Sequence, residues 1–267
     1  MNTSLADTLL ATGGKNMPLP SEQQGFDLDA GYAVAHSMNR KQQAAGKRLA
    51  GRKIGVSNRA AWDKLGLSDV VWGYMYEDTV HRTETSEATL SLAGLSAPRL
   101  EPEIVMGLKS PLPTGTRDPS ELLKAVAWLA LGFEVVQNPY PDWTFKPADL
   151  VATFGFHGAL VIGPQIALKG QSLSRLAASL ATTAATLYRG DTVLHEGSGT
   201  NVVDSPAAAL GHLADLVAAD GDAEPLSPGE VITTGTLTAA PDIAPGESYT
   251  AEVTGLNLPK LTLHLTK

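Results

Sequence analysis

Apolar positions along this chain change spacing from a helical period near the start to strand-like alternation further on. After Asp27, a helix-capping residue, Leu28, Tyr32, Ala35 and Met38 recur near helical spacing until Gly46. Ser4 can cap a shorter helix that ends at Gly13-Gly14. Leu49 to Val56 reads as a strand with Lys53 inside it, and Ser57 or Asn58 caps a short helix through Trp62 that stops at Gly66. From Val70 onward the pattern is of strands and loops, including Tyr74-Met75-Tyr76 just before Glu77-Asp78. Asp118-Pro119-Ser120-Glu121 combines an N-cap acid, a proline at the first helical position and a glutamate two further on. It predicts a central helix with Leu122, Leu123, Val126 and Leu129 as its apolar stripe, ended by Gly132 and leading into a strand around Glu134. Beyond it, Ala181 to His195 reads as a hairpin and Pro206 to Ala219 as a helix. Strands follow at Val231–Thr234, Ser248–Val253 and Lys260–Leu265.

Three acids interrupt the apolar runs. In Arg99 to Leu108, a period of two sends Glu101 and Glu103 to one face and Leu100, Ile104, Met106 and Leu108 to the other. Two carboxylates side by side in a mostly buried strand repel unless a cation or protons intervene. Phe133-Glu134-Val135-Val136 places a third acid among core residues. Hard oxygen ligands without Cys or His partners suit Mg²⁺ or Mn²⁺. The competing reading makes these glutamates solvated positions on half-exposed strands.

Lys53 stands between glycines in Gly51-Arg52-Lys53-Ile54-Gly55, where the backbone can approach closely; an edge-strand lysine is the alternative. Asp78 reads equally as a turn residue. His157 can line a pocket, while His36, His195 and His212 lack partners at metal-ligand spacing and read as surface or satisfied positions. Gly197-Ser198-Gly199-Thr200 is neither a nucleophile elbow nor a phosphate loop.

Composition narrows the classes. The 267 residues suffice for one large domain or a lobe plus a main domain, and 43% apolar with 18% charged residues is ordinary for a globular chain. A net charge of −8 argues against nucleic acid or an anionic membrane as partner. Zero cysteines exclude disulfides, thiolate catalysis and zinc–thiolate sites. The N-terminus lacks the layout of a secretion signal, and no run approaches the ~18–20 apolar residues of a membrane span. The expectation is a cytoplasmic protein.

Taken in order, Gly51-Arg52-Lys53-Ile54-Gly55-Val56, Gly73 to Asp78, Arg99 to Val105, Phe133-Glu134-Val135-Val136 and Asp142-Trp143 form a recognisable series. With Ala30-Gly31-Tyr32-Ala33-Val34 and Gly229 to Gly235, the chain resembles the 2-keto-4-pentenoate hydratase and 4-oxalocrotonate decarboxylase group of the fumarylacetoacetate hydrolase superfamily. The likeness covers nearly the whole chain. It implies an α+β fold: a mixed β-roll core over 81–267 that carries the metal, behind a smaller N-terminal α/β lobe over 1–80. It further implies a divalent ion on Glu101, Glu103 and Glu134, Lys53 as the active-site lysine with Asp78 as its partner, and a homo-oligomer acting on a small 2-oxo or 2-hydroxy acid.

Three segments depart from that pattern. Thr153-Phe154-Gly155-Phe156 stands where an Asp-Asn-Ala-Ser-like segment is usual, Asn138-Pro139 where Ser-Arg is usual, and Asp204-Ser205-Pro206 where a Gly-His-Pro turn is usual. The expected activity is hydration of a 2-hydroxy-dienoate to a 4-hydroxy-2-oxo acid. Thr234 and Gly235 are candidates for holding the substrate carboxylate, and Phe154 and Phe156 either line an apolar distal pocket or fill the core. Decarboxylation of a 2-oxo-dioate, C–C hydrolysis of an acylpyruvate, an isomerase or cyclase reaction, and an inert scaffold on this fold are the competing readings.

Overall fold

The computed structural model describes residues 4–12 and 17–267. Two helices open it, α1 (Leu5–Thr12) and α2 (Leu28–Ala44), the second capped by the Asp27 carboxylate, which accepts from the Ala30 N–H. The predicted stop of the first helix at Gly13-Gly14 lies outside the described residues. Next come β1 (Leu49–Gly55), the one-turn α3 (Trp62–Leu65), β2 (Val71–Tyr76), β3 (Val80–Arg82), β4 (Glu87–Ser91) and β5 (Arg99–Leu108). The middle of the chain supplies α4 (Pro119–Leu122), β6 (Val126–Val136), α5 (Pro147–Ala152), β7 (His157–Ile162), β8 (Ile166–Ala167) and α6 (Leu173–Thr182). The remainder is β9 (Ala184–Arg189), β10 (Thr192–Ser198), α7 (Pro206–Ala219), β11 (Val231–Thr236), β12 (Ser248–Val253) and β13 (Leu261–Thr266).

The larger sheet runs β2-β1-β11-β5-β6-β7-β3, with β8 also on β6; the smaller runs β10-β9-β12-β13-β4. Pairing is mixed, since β1 with β11, β3 with β7, and β13 with β4 are parallel. The larger sheet curls. Met75 of β2, Val80 of β3, Leu160 of β7, Val105 of β5 and Ala130 of β6 come from across its width yet form one buried cluster inside the curl. Alternate residues face outward. Leu100, Leu131, Phe133 and Val135 meet Leu187, Tyr249, Leu261 and Leu263 of the smaller sheet, while Ile104, Met106 and Leu129 meet Leu180, Leu210 and Leu213 of α6 and α7. The expected α+β roll is thus the observed architecture.

Two expectations change. The central helix forms, with Asp118 capping it, but lasts a single turn before a 3₁₀ turn at Leu123–Ala125. Val126, Leu129 and Gly132, read from the sequence as helical stripe and stop, lie on β6, which pairs with β5 along the length of both strands. Cross-strand pairing and burial on both faces outweigh the helical signal of the cap. In addition, one described helical stretch, 199–219, is long and apolar enough to cross a membrane by length and composition. Its α-helical part is α7, Pro206–Ala219, a core helix, and 67% of the apolar window is buried.

No break in the sheet marks the expected boundary between 1–80 and 81–267. β1 lies inside the larger sheet, antiparallel to β2 and parallel to β11 through Gly51↔Val231 and Lys53↔Thr233.

Candidate active site and metal centre

Strand alternation and register bring the predicted acids together inside the curl. Glu101 of β5 pairs directly with Glu134 of β6, and Glu103 lies two residues along on the same face. Their oxygens lie within 4.8 Å of one another. Glu103 and Glu134 are fully buried, and only Glu101 keeps partial exposure. On β1 the same alternation turns Lys53 inward and Arg52 outward. Lys53 Nζ lies 3.1 Å from Glu134 Oε1 and 3.9 Å from Glu101 Oε2. Arg52, also buried, pairs with Glu230 at 2.9 Å and stacks over Tyr74.

Glu134 is held on every side. Its Oε1 takes Lys53 and His157 Nδ1, the latter at 2.8 Å, and its Oε2 accepts from the Thr233 hydroxyl at 3.1 Å. His157 Nε2 in turn meets the Thr79 hydroxyl at 2.8 Å. Glu103 Oε2 accepts the Gly235 N–H at 2.6 Å, while its Oε1 is buried without a partner. Gly235 has φ 111°, and a Cβ there would run into the Ser57 hydroxyl, so glycine is required for this approach. Phe154, Gly155 and Phe156 all take left-handed backbone angles (φ 57°, 67° and 62°), and Gly155 lies against the Lys53 stem. Such a run of strained residues persists only where the surroundings enforce it.

Burial and mutual repulsion dominate the electrostatics of the cluster. Burial pushes the Glu101 carboxyl up to about 7, against the pull of Lys53. Burial, then the charges of Glu134 and Glu101, raise Glu103 well above the usual carboxylate range. Burial acts upward on Glu134 as well, but Lys53 and His157 outweigh it and hold that carboxyl down at about 2. Desolvation works against the Lys53 ammonium, yet the carboxylates, Glu134 foremost, keep its pKa above the ordinary lysine value. Three carboxylates facing one lysine, with an orphaned buried oxygen on Glu103, form a donor set that fits a divalent cation.

A cavity of about 210 Å³ opens onto this cluster. Lys53, Ser57, Asn58, Glu101, Gly235 and Thr236 supply its polar lining. Phe156 lines it too, but Phe154 lines a neighbouring cavity of about 180 Å³ that also reaches His157.

Two sequence assignments are not brought to the site. Asp78 is exposed and forms an ion pair with Lys47 at 2.7 Å, so it does not partner Lys53. Thr234 faces away from the acids, with its hydroxyl donating to the Ile104 carbonyl at 2.8 Å; its neighbour Thr233 faces them. Sequence reasoning also passed over the role of His157 on Glu134, because the two lie 23 residues apart on paired strands. His36 and His212, expected to be satisfied, are so through distant carboxylates, Asp220 and Asp69.

Residues 65–262 match the family described as fumarylacetoacetate (FAA) hydrolase C-terminal. The chain is 30% identical to a 2-hydroxyhexa-2,4-dienoate hydratase of Comamonas testosteroni, with 90% of this chain and 87% of that one covered. It is 28% identical to 2-keto-4-pentenoate hydratase 2 of Dechloromonas aromatica, with coverage of 95% and 92%. Among solved structures, 4-oxalocrotonate decarboxylase from Pseudomonas putida G7, complexed with magnesium and adipate, superimposes with a TM-score of 0.86. That match has 22% identity and covers 98% of this chain and 95% of the other.

Proposed function

From the premise that the chain belongs to the fumarylacetoacetate (FAA) hydrolase C-terminal family, we propose that it is a divalent-metal-dependent hydratase. Its substrate is a 2-hydroxy-dienoate, or the 2-oxo-enoate formed from it, and its product a 4-hydroxy-2-oxo acid. The observation that carries this reading is the Glu101–Glu103–Glu134 cluster, with its orphaned oxygen and Lys53 beside it, next to an open cavity that Glu101 and Lys53 line. The hydratase names of relatives spanning nearly the whole chain support it.

Glu101, Glu103 and Glu134 would hold the ion, and three hard oxygen ligands suit Mg²⁺ or Mn²⁺. When bound, the ion supplies Lewis acidity that draws the negative charge developing on the substrate's C2 oxygen. Lys53 holds the mobile proton. Its ammonium is pinned against Glu134 and borders the cavity next to Glu101. It gives that proton to the far carbon of the dienol while the enolic hydroxyl releases its own to cavity water, from which the Lys53 amine is reprotonated, leaving a conjugated 2-oxo-enoate. Water then adds oxygen at C4 and hydrogen at C3. Ser57, lining the cavity beside Gly235, takes the place of Thr234 in anchoring the substrate carboxylate. The reading brings with it a cytoplasmic homo-oligomer.

The test follows the ultraviolet absorbance of 2-hydroxypenta-2,4-dienoate in the presence of Mg²⁺, with Glu103→Ala as control. Metal-dependent loss that yields 4-hydroxy-2-oxopentanoate, and that the variant lacks, is expected. An untouched dienoate under tight metal binding would sink the proposal.

A further inference from the structure

The second cavity, of about 180 Å³, adjoins the one beside the acids, and Phe156 lines both. Leu10, Met38, Pro139, Phe154 and Phe156 give it an apolar body. Leu10 of α1, Met38 of α2 and Phe154 belong to one hydrophobic cluster, so the two opening helices close this side of the cavity. Gln42, Gln137, Thr153 and His157 are its polar members, and its lining contains no acid, lysine or arginine. Both ring nitrogens of His157 are already engaged, one by Glu134 and one by the Thr79 hydroxyl. Gln137 accepts the Ser96 N–H on its Oε1 at 3.2 Å, which leaves its amide N–H groups to donate.

These walls define an occupant. A charged group would be buried with no counterion, which is strongly unfavourable, whereas a hydrocarbon ring gains from leaving water. An apolar cavity of about 150 Å³ admits benzene, so this one holds a single ring and little more. The amides of Gln42 and Gln137 can bond one hydroxyl on such a ring.

The partition between this cavity and the acid cluster is the left-handed turn at Phe154–Phe156. On its far side Gly155 rests on the Lys53 stem, where an added Cβ would lie 3.0 Å from Lys53 Cδ. The next residue along, His157, holds Glu134. An occupant packed on Phe154 and Phe156 therefore supports the segment that positions both Lys53 and Glu134. We propose that the second cavity binds an uncharged single-ring molecule bearing one hydroxyl, a phenol by class, and that its occupancy tightens metal binding at Glu101, Glu103 and Glu134. The coupling rests on the metal-binding reading of the acid cluster; the second site does not.

Phenol is the probe. Calorimetry on the full chain should show one phenol bound per chain, with a Kd of about 1 mM or tighter. Crystals grown with 4-iodophenol should place the iodine signal beside Met38 and Phe154. Saturating phenol should tighten Mn²⁺ binding about fivefold or more, and saturating Mn²⁺ should tighten phenol by the same factor. Leu10→Trp, which fills the cavity from α1, should remove both phenol uptake and the response of Mn²⁺ to phenol. No saturable uptake, an iodine signal beside Trp143 and Phe145 instead, or uptake that survives Leu10→Trp overturns the site. Should Leu10→Trp fail to fold, the iodine position in the unaltered protein decides. Mn²⁺ affinity that ignores bound phenol overturns the coupling. If phenol binds here but the protein takes up no Mn²⁺, the metal-dependent hydratase reading falls and the second site stands. If dienoate is hydrated and phenol does not bind, the reverse is true.

Discussion

His157 Nδ1 lies 2.8 Å from Glu134 Oε1, joining the first residue of β7 to an acid on β6. Glu134 thereby receives a neutral or positive donor on the oxygen that Lys53 also touches. A partner of this kind orients a metal-binding carboxylate, and its loss typically costs about 10–100-fold in metal affinity. His157→Ala should weaken Mn²⁺ binding by about that factor in calorimetry, and His157→Asn should recover part of it. Equal affinity in all three proteins would show that the contact does not orient Glu134.

Glu103 is costly to the metal-free fold, because a buried carboxyl with one unpartnered oxygen must either carry an uncompensated charge or take up a proton. Glu103→Gln should therefore raise the melting temperature of the metal-free protein by ~2–4 °C, corresponding to ~1 kcal/mol in a chain of this size. The same change should abolish the rise in melting temperature on adding Mg²⁺. A destabilised, still metal-responsive variant would contradict the placement.

The raised carboxyls also set a pH dependence. Glu101, up at about 7, and Glu103, higher than usual, are protonated in the metal-free fold at pH values where the unfolded chain has already released those protons. The folded state then binds more protons than the unfolded state, so stability falls as pH rises from about 4.5 through 7. Metal binding needs the ionised forms and releases protons, so its stabilisation grows over the same interval. Melting curves with chelator and with Mg²⁺, taken from pH 5 to 8, should diverge toward high pH. Parallel curves would count against the cluster.

Lys53 and Asp78 should separate cleanly. Lys53→Met removes the buried ammonium proposed as the proton donor and should lower kcat by about 10²–10⁴-fold while the protein still binds Mg²⁺. Asp78→Asn touches an exposed pair with Lys47, worth about 0–1 kcal/mol, and should leave kcat/KM within about threefold. Comparable losses from both would restore Asp78 as the partner of Lys53.

Arg52, next to Lys53 but on the opposite face of β1, serves the fold. Its guanidinium is buried on Glu230 and against Tyr74. Removing one member of a buried pair costs about 3–5 kcal/mol. Arg52→Ala should lower the denaturant midpoint accordingly, whereas the double variant Arg52→Met with Glu230→Leu should regain much of the loss.

Much of the site was legible because local rules suffice for it. A period of two placed Glu101 and Glu103 on one face, and Glu134 stood out as a lone acid in a buried strand. The strands after residue 230 and the helix over 206–219 were likewise readable from alternation and turn residues. The central helix misled because its capping signal is real for one turn, whereas pairing with β5 decides everything after Ala125.

The order and chemistry of the motifs were thus determined by the sequence alone, down to the family, the three acids and the lysine. Tertiary structure decided which face and which partner. The sequence does not state how β11 is registered on β5: Val231 to Thr233 pair regularly with Gly107 to Val105, which turns Thr233 toward Glu134 and leaves Thr234 on Ile104, and the shift that follows sets Thr236 opposite Glu103. Nor does it show that Asp78 finds Lys47, or that His157 closes on Glu134. A pattern of alternation fixes the side of a strand to which each residue belongs. Which side becomes the inside of the curl, and what stands across it, depends on contacts between residues far apart in the chain.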